Sequence, residues 1–356
     1  MTREEALARL TGQSHFDGDD FSELDLSGID LSGSGWKKKR FINVGFEKTV
    51  LTGSVLKGAL FTNCRFHNAD LTAADLEQSL FIDSDLHGVS LKNITGRMAI
   101  FKNSRLDTAD LTGANVLQAV FEHTSLKNAL LVAADLNRAI FLKCDLSTAD
   151  LSGATLEKTQ IRSSITTSII LSGAMFLKTG LCDLDFSNYD FSGVHFAMVQ
   201  ARQSRFQNAD FSGADITMAN FSKTDLTGAI FDKVKAQGAM FIGASCKATH
   251  FRYADCQGAN FSRADLEVAD LDNANFSRSA CVETKFTMTH ARNTNFTNAK
   301  LSKAQFIEAD LSNADLTGAD IFDIQDSKTI WPDSKQFTKK TNPQRLAAEH
   351  WVSPYV

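Results

Sequence analysis

Carboxylates are the first candidates for chemistry in this 356-residue chain. Asp70, Asp110, Asp150, Asp190 and Asp210, with Asp270 and Asp310, are separated by multiples of 20 residues. Such a column could serve general acid–base catalysis or hold a cation. Eight histidines are spread along the chain, and His250 and His290 share that 20-residue phase. Six cysteines could supply thiolates or metal ligands. Lys37-Lys38-Lys39-Arg40 is a cationic run suited to an anion or nucleic-acid contact, or to a solvated cluster that protects an edge.

These residues are held by a repeat. From Phe16 to Ile321, 49 of the 62 positions numbered in 1 or 6 are Leu or Phe. Positions ending in 4 or 9 are mostly small, those ending in 5 or 0 are often Asp or Asn, and glycines gather at 3 or 8. A period of five fits neither a helix nor a flat strand, so each unit must turn to return its large residue to one interior. The implied architecture is a solenoid. A second period of 20 stacks Phe21, Phe41, Phe61, Phe81, Phe101, Phe121 and Phe141 in one column, and Leu31, Leu51, Leu71, Leu91, Leu111, Leu131, Leu151 and Leu171 in another. The Leu column continues as Phe191, Phe211, Phe231 and Phe251 while the Phe column thins to Ile161, Leu181 and Ala201, as a core of constant volume requires. All three prolines lie beyond Ile321, consistent with a backbone ladder that needs its donors.

Ala149-Asp150-Leu151-Ser152-Gly153, Ala209-Asp210-Phe211-Ser212-Gly213 and Ala314-Asp315-Leu316-Thr317-Gly318 resemble the unit of the pentapeptide-repeat family. The resemblance implies an all-β fold, a single right-handed quadrilateral β-helix with four units per coil. It also implies that outward Asp and Asn side chains bond turn amides, a structural role that displaces the acid–base reading. The expected organisation is an N-terminal capping helix over 1–15, a β-helix over 16–321, and a cap or docking tail with a short helix over 322–356. Thr2-Arg3-Glu4-Glu5 supplies a capping box for the first helix; Asn342-Pro343 reads as the start of the second, running to Trp351.

The cysteines follow the repeat, with Cys246, Cys256 and Cys281 at large inward positions and Cys64 and Cys144 at small ones, so they read as core filler. No phosphate-binding glycine motif or catalytic constellation emerges; the chain is expected to be non-enzymatic, with no cofactor and no metal. No secretory leader and no apolar run long enough to span a bilayer is evident, which makes a cytoplasmic location the default, with signal-independent export as the exception. Lys39 falls at an inward position, and the expectation is a local distortion that frees its ammonium.

Acidic members of the resembled family bind DNA gyrase as mimics of the duplex. Here the repeat carries 36 acidic and 30 basic residues, and one outward column reads Arg65, Asp85, Arg105, so charge alternates where a phosphate mimic needs a continuous field. Direct nucleic-acid binding is not expected, and a topoisomerase-binding DNA mimic is the alternative function. The leading expectation is a protein-binding scaffold or accessory protein, because the outward position before each Phe departs from Asp or Asn in five successive coils: Leu60, Leu80, Ile100, Val120 and Ile140, flanked by Ile42, Ile82 and Leu142. Such a strip suits a protein partner or a self-dimer. The resemblance extends to accessory modules of bacterial secretion, type VI systems included.

Overall fold

A computed structural model describes residues 2–11 and 20–332. The chain divides into two compact units, Met1–Asp185 and Phe186–Val356.

Unit 1 opens with α1 (Arg3–Thr11), which buries Ala6 and Leu10. Its capping box is made as the sequence predicts: Glu5 N–H donates to Thr2 Oγ1 at 3.2 Å, and Thr2 N–H donates to Glu5 Oε2 at 2.9 Å. Four-sided coils follow from Asp20. One side is a nine-stranded parallel sheet in sequence order: β1 (Asp20–Ser22), β2 (Arg40–Ile42), β3 (Leu60–Thr62), β4 (Leu80–Ile82), β5 (Ile100–Lys102), β6 (Val120–Glu122), β7 (Ile140–Leu142), β8 (Gln160–Arg162) and β9 (Gly180–Cys182). The other three sides are joined coil to coil by single parallel bridges, such as Asp25↔Gly45, Asp30↔Val50 and Gly35↔Val55.

Unit 2 is built from the same coils with single bridges on all four sides, for example Asp190↔Asp210, His195↔Asp215, Gln200↔Asn220 and Arg205↔Asp225. Its regular turns continue past Ile321 through the bridges Gln305↔Gln325 and Asp310↔Ile330. The helix read from Asn342 to Trp351 lies outside the described residues.

Within a coil, positions ending in 1 or 6 and in 4 or 9 face the core, while those ending in 5, 0, 2 and 7 face outward. Every position ending in 3 or 8 from Glu23 to Lys328 adopts positive φ, and most of these residues are not glycine. The corner therefore imposes the left-handed conformation on whatever side chain stands there. In unit 1 the Phe column stacks with nearly parallel rings, Phe81–Phe101 and Phe101–Phe121 both at 5.0 Å. Unit 2 runs two Phe columns, Phe211–Phe231 at 4.9 Å and Phe241–Phe261 at 4.5 Å, which meet edge to face in the core. Aromatic stacks and T-shaped pairs of this kind add about 0.5–1.5 kcal/mol each beyond the area they bury.

The expected distortion at Lys39 is absent. Lys39 N–H donates to Trp36 O at 3.2 Å and Lys39 O accepts from Leu60 N–H at 2.9 Å, the regular pattern. The residue is 3% exposed, with its ammonium 5.7 Å from the Phe21 ring centroid. Its aliphatic stem fills a small inward position, and the cation lies over an aromatic face without bending the backbone.

Candidate protein-binding face

The apolar strip lies on β2–β7. The parallel register places Leu60 beside Leu80, Leu80 beside Ile100, Ile100 beside Val120 and Val120 beside Ile140. At about 4.8 Å per step this row runs roughly 19 Å. Ile42, Ile82 and Leu142 stand on the second row of the same side, where Thr62, Lys102 and Glu122 intervene. Lys102 Nζ and Glu122 Oε2 pair at 3.1 Å. Ile140 is 40% exposed and the other seven residues are half-buried. Polar groups close both ends of the row, the Arg40–Asp20 pair at 3.5 Å and Arg162 Nη2 donating to Gln160 Oε1 at 3.2 Å. An apolar centre with a polar rim is the anatomy of a specific contact surface.

The strand side also explains why Asp and Asn give way to aliphatic residues from β3 to β7. On the turn sides a carboxylate at the outward position accepts the amide two residues on, as in Thr72 N–H to Asp70 Oδ1 at 2.9 Å and Thr112 N–H to Asp110 Oδ1 at 3.0 Å. In a strand that amide belongs to the ladder between neighbouring coils, so the side chain has no such task. β-branched and aliphatic residues then fit the pleated surface better.

A second feature marks this side. After the strand the backbone forgoes the turn bond to the residue three before, and a side chain of the next coil takes its place. Cys64 N–H donates to Ser84 Oγ at 3.1 Å, Ser84 N–H to Ser104 Oγ at 3.2 Å, and Cys144 N–H to Ser164 Oγ at 3.0 Å. Each Ser hydroxyl gives its one proton to the backbone; for Ser104 Oγ the acceptors in reach are Phe81 O at 3.2 Å and Lys102 O at 3.0 Å. This column of small polar residues was visible in the sequence as Cys64, Ser84, Ser104, Thr124, Cys144 and Ser164, but its meaning was not.

Sequence reasoning missed a second group of apolar side chains in unit 1. Ile165, Ile170, Met175 and Leu177 are 52%, 47%, 50% and 41% exposed. Three of them end in 5 or 0, so the rule that exposed the strip, an aliphatic residue at an outward position, would have found them.

Elsewhere the candidate chemistry resolves into structure. The Asp column caps turns: Ser152 N–H to Asp150 and Ser212 N–H to Asp210, both at 2.8 Å, and Ser312 N–H to Asp310 at 3.0 Å. The Ser192 hydroxyl and backbone amide hold the Asp190 carboxyl below its ordinary range, and Thr317 does the same for Asp315. Burial pushes the Cys64 and Cys144 thiols up to about 11 and Cys281 up to about 12, away from reactive thiolate. His250 and His290 are separated by Asp270, bridged to each. The histidines are less dispersed than they read: His67 and His87 meet edge to face at 4.8 Å, with His67 Nδ1 3.9 Å from Asp85 Oδ2. Among the described residues no three His, Cys, Asp or Glu side chains group to hold a metal.

The surface charges pair locally. Arg65 bonds Glu47 at 2.5 Å and Arg105 bonds Asp107 at 2.6 Å, so part of the alternating column neutralises sideways, while Lys285 and Asp265 pair along it at 3.4 Å. Asp110 of the single-sign column is met by Lys92 at 3.0 Å, and the Arg252–Asp232 and Arg292–Asp272 pairs form a ladder in unit 2. No helix of the described residues is long and apolar enough to cross a membrane.

With this geometry in place, the repeat family is decided by its own pattern. Eight copies of the unit described as "Pentapeptide repeats" match residues 40–78, 61–95, 129–165, 196–232, 204–241, 229–267, 239–278 and 279–318, more than half of the chain. The chain belongs to the pentapeptide-repeat family. Pentapeptide-repeat proteins are generally structural or binding proteins, and no enzyme family is indicated. No curated protein matched the chain in sequence. Solved structures similar to it include QnrB1, a plasmid-mediated fluoroquinolone resistance protein, 18% identical over 51% of this chain and 89% of that one, with a TM-score of 0.43. Another is the pentapeptide-repeat protein HetL, involved in heterocyst differentiation regulation in Nostoc sp. strain PCC 7120. It is 19% identical over 95% of this chain and 100% of that one, with a TM-score of 0.24.

Proposed function

We propose that this chain is a non-enzymatic scaffold that binds another protein, or a second copy of itself, along the strand side of unit 1. The observation that carries the reading is the uninterrupted row Leu60, Leu80, Ile100, Val120 and Ile140, held in register on adjacent strands with polar groups at both ends. A preformed row of side chains on a stacked backbone offers contact area at little ordering cost on the scaffold's side. The row and its flanking residues amount to a few hundred Å², so a stable complex of about 1,200 Å² or more would also use the polar rim. Resemblance to accessory modules of bacterial secretion, type VI systems included, supplies a setting in which such a scaffold would serve.

The alternative, a DNA mimic that binds a topoisomerase, requires an acidic field. Local pairing of Asp110, Asp232 and Asp272 with Lys92, Arg252 and Arg292 weakens that field at the surface where it is needed.

The test is a full-length variant carrying Leu80→Asn, Ile100→Asn and Val120→Asn, compared with the parent in pull-downs from the host and in sedimentation. Loss of the captured partner or of self-association with a retained circular-dichroism spectrum supports the reading. Unchanged capture and assembly overturn it, and recovery of gyrase, insensitive to the triple change, would establish the alternative.

A further inference from the structure

His67 and His87 fall on successive coils of one column, the one place among the described residues where two histidines do so. They stand on the side that follows the strands, outside the contact surface proposed above. Their backbones are tied into the ladder: Lys48 N–H donates to His67 O at 2.9 Å and Asn68 N–H to His87 O at 3.2 Å. Diagonal bonds between neighbouring coils lace this side, Arg65 Nε with Glu47 Oε1 at 2.5 Å and Lys127 Nζ with Asp145 Oδ2 at 3.1 Å. His87 lacks such a bond. The side chain on its diagonal, Arg105, turns to Asp107 of its own coil at 2.6 Å. His87 Nδ1 is shut off from solvent and has no hydrogen-bond partner, a condition that buried polar groups rarely hold. His67, its side chain 43% exposed, has its Nδ1 3.9 Å from Asp85 Oδ2, beyond hydrogen-bond range.

The two rings lie 4.8 Å apart between centroids, with their planes at 77°. Two imidazoles bound side by side to one ion, at metal–nitrogen distances of about 2.0–2.1 Å, hold their centroids roughly 4.5–5.2 Å apart. Turning a ring about χ2 leaves its centroid nearly in place, and that torsion is broad for histidine. The pair can therefore converge its nitrogens without moving the backbone. Charge also favours a cation here. Glu47 and Asp107 are taken by Arg65 and Arg105, which leaves Asp85 in excess beside the histidines. Asp85 Oδ1 accepts the His87 backbone N–H at 3.0 Å, which fixes the carboxylate with Oδ2 toward His67 Nδ1. A carboxylate on one imidazole nitrogen orients the ring and makes the other a better donor to metal. We propose that His67 and His87 form a two-histidine site for a divalent transition-metal ion, with Asp85 positioning His67 and water completing the coordination. Imidazole donors suit Cu2+, Ni2+ and Zn2+, and the affinity is greatest for Cu2+. The bound ion staples two successive coils of unit 1.

Cu2+ alone, titrated into the full chain in a non-coordinating buffer, is the probe. Calorimetry should give a site whose electron paramagnetic resonance spectrum carries the splitting of two equatorial nitrogens. His67→Asn and His87→Asn each leave a single imidazole, so each should weaken that site by about ten-fold or more through loss of chelation. His123→Asn, which removes an exposed histidine with none on the neighbouring coils, should leave it unchanged. Zn2+ should occupy the same site and be displaced by Cu2+. Copper held at the parental affinity by the double variant His67→Asn, His87→Asn is an adventitious ion only and overturns the proposal. A spectrum from oxygen donors, or from one nitrogen, overturns it equally. If the variants do not fold, the unaltered chain decides. Cu2+ should then slow diethyl pyrocarbonate modification of His67 and His87 several-fold while His123 reacts as before, and equal reaction with and without the ion refutes the site.

Discussion

Positions numbered in multiples of 20 behave differently in the two units. In unit 1 each opens a strand, and five in succession are aliphatic, Leu60, Leu80, Ile100, Val120 and Ile140. In unit 2 the same phase holds Asn220 and Asn260, whose Oδ1 atoms each accept the amide two residues on at 3.0 Å, and no strand forms. Position four follows suit. Ser84 and Cys64 give their amides to hydroxyls of the next coil, whereas Ala244 and Ala264 give theirs to Phe241 O and Phe261 O at 3.0 and 2.8 Å. One repeat thus builds two kinds of corner. Asn at the outward position goes with a turn at Asn220 and Asn260, and an aliphatic residue followed by a hydroxyl or thiol column goes with a strand from β3 to β7, although β1 and β8 open on Asp20 and Gln160 and Met240 opens none. The strand corner frees the outward position from a structural task and leaves it open to selection for contact.

The largest effect expected lies in what both corners share. Phe101→Ala should destabilise unit 1 by about 3–5 kcal/mol in denaturant melts, through lost burial and a cavity in a stacked column. Asp110→Ala, which removes a half-buried turn cap, should cost about 1 kcal/mol. Equal losses would break the inward and outward assignment.

The two corners separate at position four. Ser104→Ala strands the Ser84 amide, which has no turn acceptor, and should cost about 1–3 kcal/mol. Thr284→Ala in unit 2 removes only the hydroxyl's bond to Phe261 O, since the Thr284 amide keeps Cys281 O, and should cost less than half as much. A matched cost at both sites would mean that the hydroxyl column does not define the strand corner.

Acid should also distinguish them. Asp190 and Asp315 titrate below the ordinary value of 3.8 in the folded chain because Ser192 and Thr317 bond the ionised form. A depressed folded pKa contributes stability that is present above the unfolded value and lost as pH falls through the folded one. Below about pH 4, amide exchange should therefore accelerate first at Ser192 and Thr317 and later at Thr62, whose amide lies in the strand ladder. Simultaneous acceleration would show that the turn carboxylates do not govern the turn sides.

The smallest effect concerns the corner itself. Val268 holds φ at 60° with a β-branched side chain that is 55% exposed. Val268→Gly should stabilise unit 2 by about 1 kcal/mol by relieving that conformation, net of glycine's entropy cost. A destabilised variant would place the strain elsewhere.

The fold was legible because two periods, five and twenty, fix phase and column together; register then has no freedom, and the neighbours Leu80, Ile100 and Val120 could be named before any coordinates. What was not legible depends on bonds that the period does not encode. The hydroxyls of Ser84 and Ser104 looked like ordinary small core residues, because nothing local says which carbonyl or amide a hydroxyl will meet. Lys39 broke the pattern in sequence yet keeps it in space, since a long stem can fill a small site when an aromatic ring receives its charge. Phe322 does the reverse, obeying the outward phase while being only 3% exposed.

The coil-to-coil bonding also carries a mechanical consequence. Within unit 2 each coil is bonded to the coils 20 residues before and after it, as Phe231 N–H to His250 O and His250 N–H to Ala229 O illustrate. Such a lattice has no long-range tie that must break before its neighbours can. Stretched from its two ends, it should peel one layer at a time, releasing about 70 Å of contour length per 20 residues. The force trace would then be a low, evenly spaced sawtooth in place of the single tall rupture of a globular domain, which would let the unit absorb tension and rewind when the load is removed.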